Sequence, residues 1–347
     1  MSDRLNYFRR IFRVYLTREK GYLSFWHEKP AVSRGIRNNE LGIYYQTFED
    51  KASYAGPKDK DGVILFDYFF DIGRQYNPLA IAQYGLGHYN KHIETRGKGQ
   101  AVKSKEHLEI ARIQADWLVN NLEENNFGIR VWKHKFRWHY KEYLEAGWYS
   151  AHSQGTGISL LGRIYQATGD KRYLETAKKA FLSLNLPAEK GGVQFIDENK
   201  NIWLEEYLIK NPTHILNGFL WALWGVWDFL LLIRYALEQK TLSRVEGLQK
   251  EELALKLWND CVITLKKNLP RYDADFWSLY DLSEQTLKML ASPFYHKLHI
   301  VQLKIMYILT REPIFDFYVK KFEEYQKSWL RRNLALVYKV IFKVVYF

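Results

Sequence analysis

Apolar residues return at helical spacing along most of this chain, and short turn-rich or alternating stretches separate the runs. Within residues 1–24, Phe8, Ile11, Phe12 and Tyr15 share one face, which predicts a basic amphipathic helix. From Phe25 to Asp71 the apolar runs are short, LGIYY (41–45) and GVILFDYFF (62–70), with turn signals such as YAGPKDKDG between them. This predicts an irregular arm with a hairpin. Asn77-Pro78 opens a helix with Ile81, Tyr84, Gly85 and His88 on one face. A second helix, from about Ser104 to Glu123, turns Ile110, Ile113, Trp117 and Leu118 inward. The stretch GIRVWKHKFRWHYK (128–141) alternates aromatic with basic residues and reads as a two-stranded flap, either an ordinary solvated hairpin or a cover for an acidic ligand.

Helices follow over 148–168, opened by Trp148 and Tyr149, and over 170–184, divided by the Gly169-Asp170 turn. A short strand (VQFID) and the polar segment NIWLEEYLIKNPTHILNG (201–218) then lead into a very apolar helix over 213–238. A charged loop precedes a helix over 249–268 that ends at Pro270; RYDADFWSLYDLS reads as a strand-like hairpin. Pro293 and Glu312-Pro313 start two further helices, to Leu309 and Leu330, and the tail ALVYKVIFKVVYF alternates with a period close to two.

These elements divide the chain into an N-terminal arm (1–75), a helical body (76–330) and a basic apolar tail (331–347). Successive helical hairpins around a shared core predict a mainly α fold, an α/α toroid that is incomplete or a six-hairpin barrel, with short β-hairpins at one mouth. Small residues in GLGHY, QGTGIS and LWGVW fit inner helices that approach closely.

Composition narrows the classes of function. Residues 216–237 are long enough to cross a bilayer, but Asp228 lies mid-span and Trp221, Trp224 and Trp227 cluster at its centre rather than at its ends, so a protein-buried helix is expected. A single cysteine, Cys261, permits no internal disulfide, and residues 1–20 lack the apolar core of a secretory signal; a cytoplasmic protein is expected. The formal charge of +12 favours an anionic partner. The 12 Trp, 25 Tyr and 20 Phe suit stacking on sugar faces, which points to an acidic polysaccharide, and no nucleic-acid recognition motif is present. The basic ends suit peripheral contact with an inner membrane face.

The sequence holds no HExxH, no paired Cys, no GxSxG and no phosphate-cradling loop, so no metal and no cofactor is expected. Tyrosines and carboxylates carry the candidate chemistry. Pulling a proton from carbon beside a carboxylate needs one group to take it, one to return it, and one to quench the carboxylate charge. A phenol next to a cation can be partly ionised and serve as a base, and when neutral it is a suitable acid. Substrate-binding candidates are Arg74, Gln75, Tyr76, Gln83, Tyr149, His152, Gln154, Asn217, His296 and His299.

Five blocks, YNPLAIAQYGLGHYN, GWYSAHSQGTGISLLGRIYQATGD, WLEEY…ILNGFLWALWGVWD, LYDLS and SPFYHKLHIVQL, stand in the order seen in the D-glucuronyl C5-epimerase family, which the chain resembles over roughly 76–325. The resemblance implies an α/α toroid, a homodimer, and inversion at C5 of glucuronic acid in heparosan-type polymers. It implies catalytic roles for Glu206, Tyr207, Tyr280 and Tyr295. Two positions depart from the family pattern: Leu208 stands where proline is common, and Ser283 where an arginine would hold the substrate carboxylate. Arg74 is the expected replacement. The alternatives are a uronate lyase on the same scaffold and a non-catalytic binder of acidic glycans.

Overall fold

Three of the four α-helical hairpins of the body begin where a capping side chain and a helix-compatible run coincide, and the third begins at Ile215 without such a cap. The computed structural model describes residues 25, 26, 28–68 and 72–346; the helix expected over residues 1–24 lies outside the described residues. The elements in chain order are α1 (Glu49–Ala52), the hairpin β1 (Phe66–Tyr68) and β2 (Gly73–Gln75), α2 (Pro78–Gly97) and α3 (Ala101–Asn120). Then come β3 (Glu123–Glu124), β4 (Arg130–Val131), β5 (Trp138–His139) and β6 (Tyr143–Leu144), followed by α4 (Ala151–Thr168) and α5 (Lys171–Leu184). The chain continues through β7 (Gln194–Ile196), β8 (Ile202–Leu204), α6 (Leu216–Glu238), α7 (Arg244–Asn268), α8 (Pro293–Thr310), α9 (Pro313–Lys327) and α10 (Trp329–Tyr346). Asn77, Ser150, Asp170, Ser243 and Ser292 cap the helices that follow them with their side-chain oxygens.

The fold is mainly helical. Four successive pairs, α2–α3, α4–α5, α6–α7 and α8–α9, pack as hairpins, while α2, α4, α6 and α8 also pack against one another in chain order. Burial divides the layers. Helices α4 and α6 are buried on almost every face, whereas α3 buries only the stripe Ser104, Ala111, Gln114, Ala115 and Leu118. The small residues expected on the inner helices are used: a Cβ on Gly225 would lie 2.2 Å from the Gly155 Cα, so α4 and α6 meet backbone to backbone.

Helix α6 is long and apolar enough to span a membrane, and 94% of its most apolar stretch is buried inside the protein. Its fully buried charge, Asp228, is met there. Arg163 Nη1 donates to Asp228 Oδ2 at 2.7 Å and Tyr45 Oη donates to Oδ1 at 2.6 Å, so the arm, α4 and α6 share one buried ionic knot.

Three expectations change. The 128–141 stretch does not pair with itself: Arg130–Val131 pairs with Glu123–Glu124, and Trp138–His139 pairs with Tyr143–Leu144. Residues 271–283 form isolated bridges, Asp273 to Ser278 and Leu279 to Leu290, rather than a hairpin of named strands. The tail is a helix. Its β-branched residues suggested alternation, but Ala335, Leu336 and Phe342 pack inward and Lys339 donates to Leu290 O at 2.6 Å. Leu330, Leu334, Val337, Ile341 and Val344 stay exposed in a row. Two boundaries also shift, since α4 starts at Ala151, after Trp148 and Tyr149, and α7 starts at Arg244, inside the charged loop.

Candidate active site

The two neighbouring carboxylates after β8 have different fates. Glu205 is tied into the scaffold: its backbone O accepts from Ala151 N at the start of α4, and its Oε1 pairs with His214 Nδ1 at 2.5 Å. His214 in turn stacks on Trp203 at 4.1 Å. With Glu205 pinned, the next side chain is aimed at the first turn of α6. A Cβ on Gly218 would lie 2.2 Å from Glu206 Oε2, so glycine is what admits the Glu206 carboxylate there. Oε2 has no hydrogen-bond partner, and burial pushes the carboxyl up to about 8.

Backbone hydrogen bonds deliver the distant tyrosines. Leu216 N donates to Tyr280 O at 3.2 Å and Leu282 N to Thr213 O at 2.8 Å, which staples residues 280–282 to the start of α6. Tyr295 lies in the first turn of α8, where Ser292 caps its N–H, and its ring meets that of Tyr280 edge-on at 4.9 Å. Tyr207 stacks on Tyr140 at 4.4 Å, and Tyr140 Oη is anchored on Asp281 Oδ2 at 2.9 Å. Glu206, Tyr207, Tyr280 and Tyr295 therefore line one cavity of about 410 Å³, a size typical of small-molecule sites, roughly 300–1,000 Å³.

His152 and Asn217 join them in the lining. His152 stacks on Trp221 at 5.4 Å with its Nδ1 3.7 Å from Glu206 Oε2. Neither His152 nitrogen nor Asn217 Oδ1 has a hydrogen-bond partner. Buried polar atoms are nearly always paired, so this group is short of a ligand. The wall is aromatic: Phe136, Trp138, Trp148 and Phe294 contribute, with Tyr68 and Phe66 from the arm.

The alternation in 128–141 has a clear result. His134, Phe136 and Trp138 face the cavity, while Arg137 pairs with Glu145 and Lys135 with Glu123 on the outside. The basic residues of that stretch face acids, not the cavity.

The electrostatics also revise the expected chemistry. Burial first, then the Glu206 charge, pushes the hydroxyls of Tyr207, Tyr280 and Tyr295 upward. The phenols are neutral proton donors here, not phenolates. Glu206 is the group in this quartet that titrates near neutral pH. Burial pushes His152 and His134 down to about 3, so both are neutral.

The remaining expected binding residues are engaged elsewhere. The β1–β2 register sets Arg74 opposite Asp67, and its guanidinium holds both Asp67 oxygens, at 2.7 and 3.0 Å. Gln75 Nε2 donates to Ile72 O, and Tyr76 Oη donates to Asp59 while its ring stacks on Trp117. Gln83 is the exception: it is fully buried in α2, outside the cavity lining, and neither of its amide atoms has a hydrogen-bond partner. Tyr149 Oη is held by Asn125 and Gly191 O, and Gln154 bonds both the N–H and the C=O of Trp132. His296 lies under Trp277 at 3.8 Å, accepting from Ser278 N and donating to Phe322 O; His299 shares the Ser278 hydroxyl. That pair clasps α8 to the bridged segment around Ser278.

One lining residue had no sequence signal. Lys51, on α1 in the EDKA turn of the arm, carries its ammonium inside, where an isolated lysine among turn residues reads as solvated surface. Among the described residues no cluster of His, Cys, Asp and Glu is placed to hold a metal.

Residues 125–324 match the family model described as the D-glucuronyl C5-epimerase C-terminus. The chain belongs to the D-glucuronyl C5-epimerase family. Its relatives include an uncharacterized protein of Methanocaldococcus jannaschii, 33% identical over 61% of this chain and 63% of that one. Another is a D-glucuronyl C5-epimerase of Caenorhabditis elegans, 34% identical over 58% of this chain and 32% of the relative. The match thus spans less than two thirds of either relative's length. Among solved structures, the cellobiose 2-epimerase of Spirochaeta thermophila superposes with a TM-score of 0.44 at 11% identity over 70% of this chain and 57% of that one. The cellobiose 2-epimerase of Bacillus thermoamylovorans gives 0.35 at 13% identity over 94% and 88%. The segment matched by this D-glucuronyl C5-epimerase family includes Glu206 and the three tyrosines, and Lys51 lies outside it.

Proposed function

We propose that the chain is a carbohydrate epimerase that inverts C5 of D-glucuronate units in an acidic polysaccharide to give L-iduronate, and that its four helical hairpins form part of an α/α toroid around the site. The observation that carries this reading is the convergence of Glu206 with three neutral phenols on an aromatic cavity whose carboxylate, imidazole and amide atoms lack partners.

The aromatic wall stacks on the sugar faces and excludes water. With the ring in place, the C5–H bond breaks, its proton passes to Glu206, and the electron pair moves into the C6 carboxylate. A carboxyl that titrates near neutrality both accepts and releases that proton with little cost. Return of a proton from the other face completes the inversion, and Tyr295, in hydrogen-bonding range of Tyr280, is the donor on that side. Glu206 then gives up the proton it took, and a proton returns to the Tyr295 phenolate through the neighbouring hydroxyls, which resets both groups. A lyase would share the first step and then expel the C4 substituent.

Incubation of a glucuronate-containing polymer in deuterated water tests the reading. Deuterium at C5 in an intact chain is the expected result. Shortened chains with unsaturated uronate ends would establish the lyase instead, and binding without exchange would leave only a glycan-binding role.

A further inference from the structure

The proposed reaction adds negative charge to a sugar that already carries a carboxylate, a change that a cation or hydrogen-bond donors in the cavity must stabilise. The position where an arginine would stand holds Ser283, whose hydroxyl donates to Asp281 Oδ1 at 2.6 Å outside the lining. Arg74 is occupied by Asp67. Among the described lining residues, Lys51 is the sole lysine or arginine.

Its placement is unusual for a lysine. The residue is only 2% exposed, its Nζ donates to Phe25 O at 2.7 Å, and it lies 4.3 Å from the Phe25 ring centroid and 5.4 Å from that of Trp26. One of the three ammonium N–H donors is thereby used, and two are left for a ligand. Burial pulls Lys51 down to about 8, and Glu28 and then Asp50 oppose that, so the ammonium persists at neutral pH; the Glu28 carboxyl is itself pushed up to about 7 by burial and is bonded to Gln46 Nε2 at 2.9 Å. Gln46 Oε1 also accepts from Trp221 Nε1, and Trp221 stacks on His152 beside Glu206. The cation and the acid–base carboxyl thus belong to one connected wall.

We propose that Lys51 receives the C6 carboxylate of the bound uronate and stabilises the extra charge that develops on it when the C5 proton leaves. This rests on the epimerase reading for the identity of the sugar, not for the anion preference itself. Lys51 transfers no proton; its ammonium stays intact while the electron pair moves into the carboxylate and back to C5.

The test measures binding of an oligosaccharide alternating glucuronate with N-acetylglucosamine, and of its carboxyl-reduced counterpart, to the wild-type chain, Lys51→Met and Glu28→Gln. The wild type is expected to prefer the acid by about 30-fold or more, as for other buried charge pairs. Lys51→Met should lose that preference while binding the neutral ligand normally, and Glu28→Gln should keep it. Should Lys51→Met fail to fold, the double variant Glu28→Gln/Lys51→Met leaves no unpaired buried carboxylate and carries the same expectation. Retained preference in a folded Lys51 variant, or no preference in the wild type, overturns the assignment. C5 deuterium exchange, followed in parallel, separates the two ideas. Exchange in the wild type with an unaltered Lys51→Met sinks Lys51 alone, whereas lost preference without any wild-type exchange sinks the epimerase reading alone.

Discussion

Gly218 and Glu206 are matched across the first turn of α6: a Cβ at 218 would fall 2.2 Å from Glu206 Oε2 and 3.0 Å from its Cβ. Gly218→Ala should therefore displace the carboxyl while costing the helix little, since alanine is the better helix former. The expected outcome is a loss of C5 exchange of roughly 100-fold, the typical price of a misplaced reacting group, with a melting temperature within a few degrees of wild type. Wild-type exchange in Gly218→Ala would show that the carboxyl position is irrelevant.

Replacing single hydroxyls tests the phenols. Tyr295→Phe keeps the ring contact with Tyr280 and removes the proton donor, so kcat should fall by about 10²–10⁴-fold, as for loss of a general acid. Tyr149→Phe, outside the cavity lining, should leave exchange within about threefold of wild type, because its hydroxyl only supports a loop. Steady-state kinetics of C5 exchange compares the two.

The raised carboxyl also makes a claim about stability. Glu206 titrates at about 8 in the fold against 4.5 for a free glutamate side chain, so the folded chain favours the protonated form. The cost of ionising it is absent below pH 4.5, grows as pH rises towards 8, and is complete above that. Glu206→Gln should remove this cost, raising stability by roughly 4 kcal/mol at pH 8 and by almost nothing at pH 4, a gain common when a functional charge is deleted. Chemical denaturation of both proteins across this range decides the matter; a difference independent of pH would contradict the assignment.

Arg163 and Asp228 form a pair with both side chains fully buried, joined by Tyr45. Asp228→Asn leaves the guanidinium uncompensated and should cost about 3–5 kcal/mol, whereas the double variant Asp228→Leu/Arg163→Met should recover much of it. Urea unfolding of the single and double variants measures this. An Asp228→Asn protein as stable as wild type would show that the knot does not hold the arm to α4 and α6.

Much of the body was legible because helices announce themselves locally. Asn77-Pro78, the Gly169-Asp170 turn, Pro293 and Glu312-Pro313 mark helix starts through proline and capping signals that need only neighbouring residues. The four residues proposed to carry the chemistry were named from sequence blocks, and their meeting in one cavity depended on backbone staples such as Leu216 to Tyr280. The tail was misread because Val and Ile with interspersed Lys look alternating, while packing of Leu336 and Phe342 against the body favours the helix. Likewise, polar residues such as Gln154, His296 and His299 were assigned to the cleft, although each satisfies buried backbone or side-chain groups away from it.

What the amino-acid order determined by itself was the run of helices, the small residues that let α4 and α6 touch, and the burial of an apolar helix around Asp228. Those follow from periodicity, side-chain size and the cost of an unpaired charge, all of which are local properties. Only the tertiary structure decided that Glu205 would be locked and Glu206 left open, that Arg74 would be taken by Asp67, and that Lys51 would turn inward. Each of those outcomes depends on which groups compete for the same partner across the fold, and that competition has no expression in a linear chain.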